Sequence, residues 1–217
     1  MKSGSTQLSR KIASSKYNFS LLDEGIELLK DGNVVDWERV FGNKNSIVFE
    51  VGCGNGHFLV QKASENPDKN FIGIDIKPER VIKSIEKKIK LSLKNILFFV
   101  GEGEEFINRY FDDDSLTLVY LLFPDPWPKK RHHKKRLLLK EGFVNALSKK
   151  LKIDGGFIYV TDHQDYFDVS YDKISKDVRF VLESKSDNDE YSISIFGNKW
   201  KEAGRDFFSF VLKRHTV

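Results

Sequence analysis

An aspartate between two prolines stands next to a dense run of cations in residues 123–136, FPDPWPKKRHHKKR. Prolines on both sides of Asp125 restrict its backbone, which holds a side chain in one place rather than leaving it mobile. Trp127 follows, and we expect it to pack the loop rather than to stack on a base. Six of the eight residues 129–136 are Lys or Arg, and the other two are His. Such a run suits phosphate contacts, with a merely solvated face as the alternative.

A glycine loop follows the strand-like run SIVFEV, with glycines at positions 52, 54 and 56. Glycines let the backbone turn sharply and approach a ligand closely, with N–H groups exposed at a helix start. The G-x-G-x-G spacing differs from the dinucleotide fingerprint G-x-G-x-x-G, and no Gly-Lys-Ser/Thr follows. A P-loop is therefore excluded, and a dinucleotide site is not indicated.

Two carboxylates flank this loop. Glu50 lies two residues before the first glycine, and Asp75 ends the next strand-like run, FIGID. A carboxylate at the end of a second strand suits hydrogen bonds to ribose hydroxyls. An acid at position 50 would attract an ammonium or sulfonium cation and repel a phosphate. The pair favours S-adenosylmethionine, which carries a ribose and cationic groups but no phosphate. The alternative is a tight structural turn with two solvated acids.

Strand-like and helix-like segments alternate from Ser46 onward, and these elements must position the acids and cations. The predicted strands are 46–51, 71–76, 96–100, 115–123, 155–162, 178–184 and 206–214. The predicted helices are 57–66, 78–93, 103–110, 136–151 and 164–175, with an amphipathic helix near 20–30. The alternation predicts an α/β fold with a doubly wound, mostly parallel sheet. The last two strands have no full helix between them, which predicts an antiparallel hairpin at the sheet edge.

Length and composition limit the other possibilities. The 217 residues suit one domain, with an N-terminal helical arm over 1–45 and a core over 46–217. Cys53 is the only cysteine, which excludes an intrachain disulfide and a Cys-rich zinc site. The apolar runs reach only strand length and the N-terminus lacks the apolar segment of a secretory signal, so we expect a cytoplasmic protein without membrane contact. The net charge is only +4, so the concentration of cations in 129–136 indicates a local polyanion site.

Together these stretches resemble a known family. EVGCGNG followed by FIGID is similar to the cofactor half of Rossmann-like class I S-adenosylmethionine-dependent methyltransferases. FPDPWPKKRHHKKR resembles the signature of the bacterial tRNA (guanine-N7-)-methyltransferases, and the resemblance covers roughly residues 45–213. It implies a seven-stranded sheet, S-adenosyl-L-methionine as cofactor and methylation of guanine N7 in tRNA, at guanosine 46 of the variable loop. It also implies tRNA as partner. We expect no metal, because His132 and His133 have no Cys or acid partners at ligand spacing, and we expect a monomer or homodimer.

The resemblance implies roles for individual residues as well. Asp125 is the catalytic acid, close to both cofactor and base. Cofactor contacts are implied for Glu50, Gly52, Gly54, Gly56, Asp75, Glu102 and Asp125. Substrate contacts are implied for Lys129, Asp162, Ser194, Phe196 and Gly197. RNA contacts are implied for Arg131, His132, His133, Lys134, Lys135 and Arg136.

One departure from the family pattern concerns the guanine pocket. Family members carry a Thr-x-Tyr/Phe-Glu tetrad, and the matching run here is Ser194-Ile195-Phe196-Gly197, which lacks the carboxylate. Either another acid such as Asp162 serves the guanine, or the base is bound more weakly. We expect an active enzyme with a modified pocket. The alternatives are a methyltransferase with another substrate and a methyltransferase-fold RNA-binding protein with weak or no activity.

Overall fold

A computed structural model describes residues 18–186 and 206–216 of the chain. The strands in these ranges are β1 (Ser46–Val51), β2 (Lys69–Asp75), β3 (Ile96–Val100), β4 (Leu116–Leu122), β5 (Leu151–Thr161), β6 (Phe180–Ser186) and β7 (Phe208–Arg214). They form one seven-stranded sheet in the order β3-β2-β1-β4-β5-β7-β6. Strands β1 to β5 run parallel, and β7 is antiparallel to both β5 and β6. The predicted sheet and its antiparallel end are confirmed.

The helices of the described ranges are α1 (Asp23–Leu29), α2 (Trp37–Phe41), α3 (His57–Glu65), α4 (Pro78–Lys90), α5 (Gly103–Tyr110), α6 (Glu141–Lys150) and α7 (Gln164–Ile174). Two differ from the sequence-based prediction. Helix α6 begins at Glu141 instead of residue 136, because Arg136 and Lys140 have extended backbones on either side of a short 3-10 helix. Helix α2 was not predicted, although Asp36 caps its first turn by accepting from the Arg39 N–H at 3.0 Å.

Strand β4 lies in the middle of the sheet and supplies core residues to both faces. Val119 and Leu121 are buried in one apolar cluster, and Tyr120 and Leu122 are buried in the other. Helices cover both faces of such a sheet, so its central strands are apolar along their whole length. This explains why residues 116–122 show no alternation of apolar and polar side chains.

Trp37 attaches α2 to the rest of the molecule. Its indole Nε1–H donates to the Tyr110 carbonyl at 2.9 Å. Its ring contacts Phe99 and Phe111, with centroid separations of 5.8 and 5.5 Å. A buried indole with a hydrogen-bonded N–H buries apolar area, and the hydrogen bond fixes the orientation of the ring. Trp37 therefore fixes α2 against β3 and the end of α5.

The order of the strands defines where a ligand can bind. The chain proceeds from β1 to β2 and β3 on one side, and then returns across β1 to β4 and β5. The loops after β1 and β4 therefore diverge at one edge of the sheet, where open α/β sheets bind their ligands. The acids that the sequence singles out follow or end these parallel strands at that edge: Glu50, Asp75, Glu102, Asp125 and Asp162.

Candidate active site

The glycine loop connects β1 to α3 with three left-handed residues. The φ angles of Gly52, Gly54 and Gly56 are 79°, 57° and 71°, a region that residues with a Cβ adopt at a cost. A Cβ at Gly52 or Gly54 would meet no described protein atom within 4 Å. The first two glycines therefore leave open space beside the backbone, into which a ligand fits.

Two side chains of helix α4 donate hydrogen bonds to carbonyls of this loop. The Ser84 hydroxyl donates to the Gly54 carbonyl at 3.2 Å, and the Lys87 ammonium donates to the Asn55 carbonyl at 2.8 Å. The loop is thereby preorganised, and burial lowers the pKa of Lys87. Sequence reasoning missed both residues, since their only signal was membership of a Lys-rich helix.

Glu50 is a buried acid that forms no ion pair among the described residues. Its residue is 3% exposed, and its Oε2 has no hydrogen-bond partner among residues 18–186 and 206–216. Burial raises the pKa of Glu50 to about 8, and the negative charge of Asp75 contributes to the increase. A buried carboxylate in this state is stabilised by any cation that reaches it.

Asp75 is buried as well, but the protein pairs it. The Gly54 N–H donates to Oδ2 at 3.1 Å and the Lys77 N–H donates to Oδ1 at 2.8 Å. The Arg80 Nη1 lies 3.5 Å from Oδ2. A carboxylate offers about four acceptor sites, so Asp75 can hold the loop and still accept hydrogen bonds from ribose hydroxyls.

Beyond Asp75, the edge becomes apolar and open. Ile76 is 58% exposed and Val100, at the end of β3, is 38% exposed. Glu102 is exposed immediately before α5, and its side chain makes no capping hydrogen bond. Sequence reasoning selected Glu102 but missed the two apolar residues, whose signal is an aliphatic side chain at the ligand-binding ends of β2 and β3. A flat aromatic group fits against such a surface.

The loop after β4 carries Asp125 between two residues of unusual backbone. Phe123 and Trp127 have φ angles of 49° and 46°, which are costly for aromatic residues. The Phe123 N–H donates to the Val160 carbonyl at 2.7 Å, and its ring packs edge-on against Phe207 at 5.2 Å. The Asp125 side chain is exposed on this constrained loop, as a group that meets a ligand must be.

The cationic run forms a 3-10 helix, Lys130–Lys135, folded onto Trp127. The Lys135 ammonium lies 4.4 Å from the centroid of the Trp127 ring, and the His132 ring meets it edge-on at 5.9 Å. Trp127 therefore packs the loop. Exposed side chains remain at Lys129, Lys130, Arg131, Lys134 and Lys135, with His132 and His133 partly buried.

Arg136, for which the resemblance implies an RNA contact, does not share this exposure. Its side chain is 0% exposed and pairs with the carboxylate of Asp165 and the carbonyl of Pro126. A fully buried guanidinium cannot reach an RNA phosphate in this structure.

The remaining predicted substrate residues divide into two groups. Asp162 is partly buried directly after β5, beside the start of α7, where His163 accepts from the Tyr166 N–H at 3.4 Å. Ser194, Phe196 and Gly197 lie outside the described residues. The structure therefore places acids at the same ends of five parallel strands, and the tetrad position stays a prediction.

Comparisons with known proteins agree with this arrangement. A family model described as a putative methyltransferase matches residues 44–210. A tRNA (guanine-N(7)-)-methyltransferase of Geobacillus thermodenitrificans is 34% identical over 171 residues, which are 79% of this chain and 77% of that protein. The chain belongs to the tRNA (guanine-N(7)-)-methyltransferase family.

A second member of the tRNA (guanine-N(7)-)-methyltransferase family, from Thermotoga maritima, is 32% identical over 181 residues, which are 83% of this chain and 58% of that protein. The chain spans less than two thirds of the length of the relatives from Thermotoga maritima, Thermus thermophilus and Streptococcus mutans.

Solved structures of other methyltransferases share the fold of this chain. The 16S rRNA methyltransferase KamB superimposes with a TM-score of 0.65 at 13% identity, covering 85% of this chain and 95% of that chain. A geranyl diphosphate methyltransferase in complex with SAM gives 0.55 at 11% identity, covering 82% and 83%. The predicted class I methyltransferase fold is confirmed.

Within the described ranges, no His, Cys, Asp and Glu side chains gather in threes as a metal ion would require. No helix there has the length and apolar character needed to cross a membrane.

Proposed function

We propose that this protein transfers the methyl group of S-adenosylmethionine to guanine N7 in tRNA, at guanosine 46 of the variable loop, in the cytoplasm. The observation that carries the proposal is the buried carboxylate of Glu50, whose Oε2 has no hydrogen-bond partner in the described ranges, beside an open glycine loop. The same sheet edge bears the exposed Asp125 and its cationic run. The names of the relatives support guanine N7 and tRNA as the target.

The residues around the glycine loop fit this cofactor. Glu50 compensates an ammonium or sulfonium cation, and the free acceptor sites of Asp75 receive ribose hydroxyls. Ile76 and Val100 offer apolar surface to the adenine, with Glu102 beside it. When bound, the cofactor supplies a methyl group attached to a positively charged sulfur. An acidic site of this kind repels a phosphate, which disfavours a nucleotide ligand.

Methylation of guanine N7 requires no general base. N7 is an acceptor on the major-groove edge and carries no proton. Its lone pair forms the new bond to carbon while the carbon–sulfur bond breaks, and that electron pair remains on sulfur. Positive charge passes to the purine, so the carboxylate of Asp125 stabilises the base electrostatically as the charge develops. Holding the three reacting atoms in line accounts for much of the remaining acceleration.

Selection of guanine falls to groups on the neighbouring loop. A carboxylate at Asp162 accepts hydrogen bonds from guanine N1–H and the exocyclic amine, which adenine cannot offer together. The exposed cations Lys129, Lys130, Arg131 and Lys134 bind the phosphates on either side. A base must leave its stack to enter such a pocket, as enzymes that act on nucleobases require.

Methyl transfer from labelled cofactor to an unmodified tRNA transcript tests the proposal, with nucleoside analysis of the product. We expect 7-methylguanosine with the wild-type transcript and none when guanosine 46 is replaced by adenosine. Methylation that persists after this replacement would move the target to another position. Binding of tRNA without any 7-methylguanosine would instead identify an RNA-binding protein that keeps the fold.

A further inference from the structure

The last cation of the run, Arg136, has the surroundings of a structural residue. Its side chain is 0% exposed. Its Nε–H donates to the Pro126 carbonyl at 2.7 Å, and its Nη2 donates to Asp165 Oδ2 at 2.6 Å. The guanidinium carbon lies 4.7 Å from the centroid of the Tyr166 ring. Three sides of one planar group are thus occupied by protein.

The two hydrogen-bond partners belong to different loops of the site. Pro126 immediately follows Asp125 on the loop after β4. Asp165 lies in the first turn of α7, three residues after Asp162 at the end of β5. Arg136 therefore links the two loops that carry the acids assigned to the transition state and to the guanine.

We propose that Arg136 is a positioning residue that sets the separation of the Asp125 and Asp162 loops, and that it does not contact RNA. This inference rests on the proposed function and refines it. The guanidinium is a rigid fork whose N–H groups point in fixed directions, so it can hold a carbonyl and a carboxylate in one geometry. A lysine at this position keeps the charge and loses the fork.

Backbone strain explains why such a link is needed. Phe123 and Trp127 flank Asp125 with positive φ angles, and strained positions persist only where surrounding contacts impose them. The bond from Arg136 to Pro126 is one such contact, made inside the strained stretch. Without this hydrogen bond, the loop can relax to a less strained backbone, and the position of the Asp125 side chain is no longer fixed.

Two substitutions separate positioning from phosphate binding. Arg136→Lys removes the guanidinium fork, and Asp165→Asn weakens its contact by removing the negative charge, so both should lower kcat, by about tenfold to a hundredfold. Because the exposed cations remain, the salt dependence of tRNA binding should be unchanged. A phosphate-binding Arg136 predicts a different pattern: Asp165→Asn would leave kcat intact and tighten tRNA binding by removing a negative charge. That pattern would overturn the proposal.

Matched controls identify effects that are only structural. Asp172→Asn alters another paired aspartate of α7, whose partner Lys176 lies two residues after the end of that helix. Arg179→Lys removes an arginine that is hydrogen-bonded to Asp177 and Asn145, away from the site. We expect Arg179→Lys to lower the melting temperature while kcat stays at the wild-type value. A double variant, Arg136→Lys with Asp165→Asn, should be no worse than Arg136→Lys alone, since that substitution already removes the link to both partners.

Limited proteolysis provides a readout that does not depend on methyl transfer. Trypsin cleavage within residues 129–135, mapped by mass spectrometry, should accelerate in Arg136→Lys and Asp165→Asn but not in Asp172→Asn. If the wild-type protein proves inactive on tRNA, this arm still decides the inference. Wild-type cleavage rates in both variants would show that the link does not hold the loop.

Discussion

Glu50 and Asp75 lie at the ends of neighbouring parallel strands, and among the described residues Asp75 receives hydrogen bonds whereas Glu50 Oε2 receives none. Asp75 receives main-chain N–H groups from Gly54 and Lys77 and lies near Arg80. Glu50 Oε2 has no hydrogen-bond partner in the described part of the chain, and burial raises the pKa of Glu50 to about 8. The binding site thus contains an acid whose ionised form needs a ligand. Stability and binding should therefore respond in opposite directions to its removal.

Replacing Glu50 by Gln should stabilise the cofactor-free protein and abolish tight cofactor binding. The folded state holds the Glu50 proton up to about pH 8, whereas an ordinary Glu releases it near 4.5. The folded state therefore binds more protons in that window, and the free energy of unfolding contributed by Glu50 falls as the pH rises. Since one pKa unit corresponds to about 1.4 kcal/mol, we expect Glu50→Gln to gain about 4 kcal/mol over wild type near pH 8 and about 1 kcal/mol near pH 5. Denaturant unfolding at both pH values measures this difference. An equal effect at both would contradict a titrating Glu50.

Cofactor binding should release a proton in the wild-type protein. A cation beside Glu50 favours its ionised form, so affinity for S-adenosylmethionine should rise by up to about tenfold per pH unit between about pH 6 and 7.5. Titration calorimetry in two buffers of different ionisation enthalpy counts the released protons. The Glu50→Gln variant is the control, with weak binding that does not change with pH. Wild-type affinity that is independent of pH would place the cation elsewhere.

Asp125→Asn should lower kcat without weakening tRNA binding. The amide keeps the size of the side chain but not the negative charge that stabilises the developing cation, so we expect a loss of about a hundredfold. The side chain is exposed, so the melting temperature should stay near that of the wild type. Single-turnover methylation isolates the chemical step. Asp112→Asn is a matched control, because Asp112 is exposed before β4, at the opposite edge of the sheet. A wild-type rate for Asp125→Asn would remove Asp125 from the chemistry.

The features that could be predicted from the sequence are those set by local patterns. Glu50 and Asp75 were predicted because each ends an apolar strand beside a glycine loop or its neighbour, and parallel strands place such ends together. The burial of Arg136 was not predicted, because its residue type matches the exposed cations before it. Its burial depends on Asp165 and Pro126, 29 and 10 residues away. The residue types in the cationic run do not reveal which distant residues bind Arg136.

The start of α6 shows the same limit. An uninterrupted apolar and cationic segment from residue 136 indicates a helix, but the helix begins at Glu141. Arg136 must adopt an extended backbone to direct its side chain inward, and this tertiary demand prevails over local helix propensity. Likewise, Ser84 and Lys87 support the glycine loop through contacts that span 30 and 32 residues.

Neutralising Lys134 should reduce the salt dependence of tRNA binding. Lys134 is exposed in the cationic 3-10 helix, and each phosphate contact releases counterions when it forms. Lys134→Gln should therefore lower the slope of log Kd against log salt concentration by about 0.7 to 0.9, with kcat at saturating tRNA unchanged. Filter binding across a salt series measures the slope. Lys176→Gln is the control, since Lys176 is an exposed cation just after α7 that pairs with Asp172 of that helix. Identical slopes for the two variants would mean that the position 134 charge is only solvated, and that the phosphates are bound by other residues.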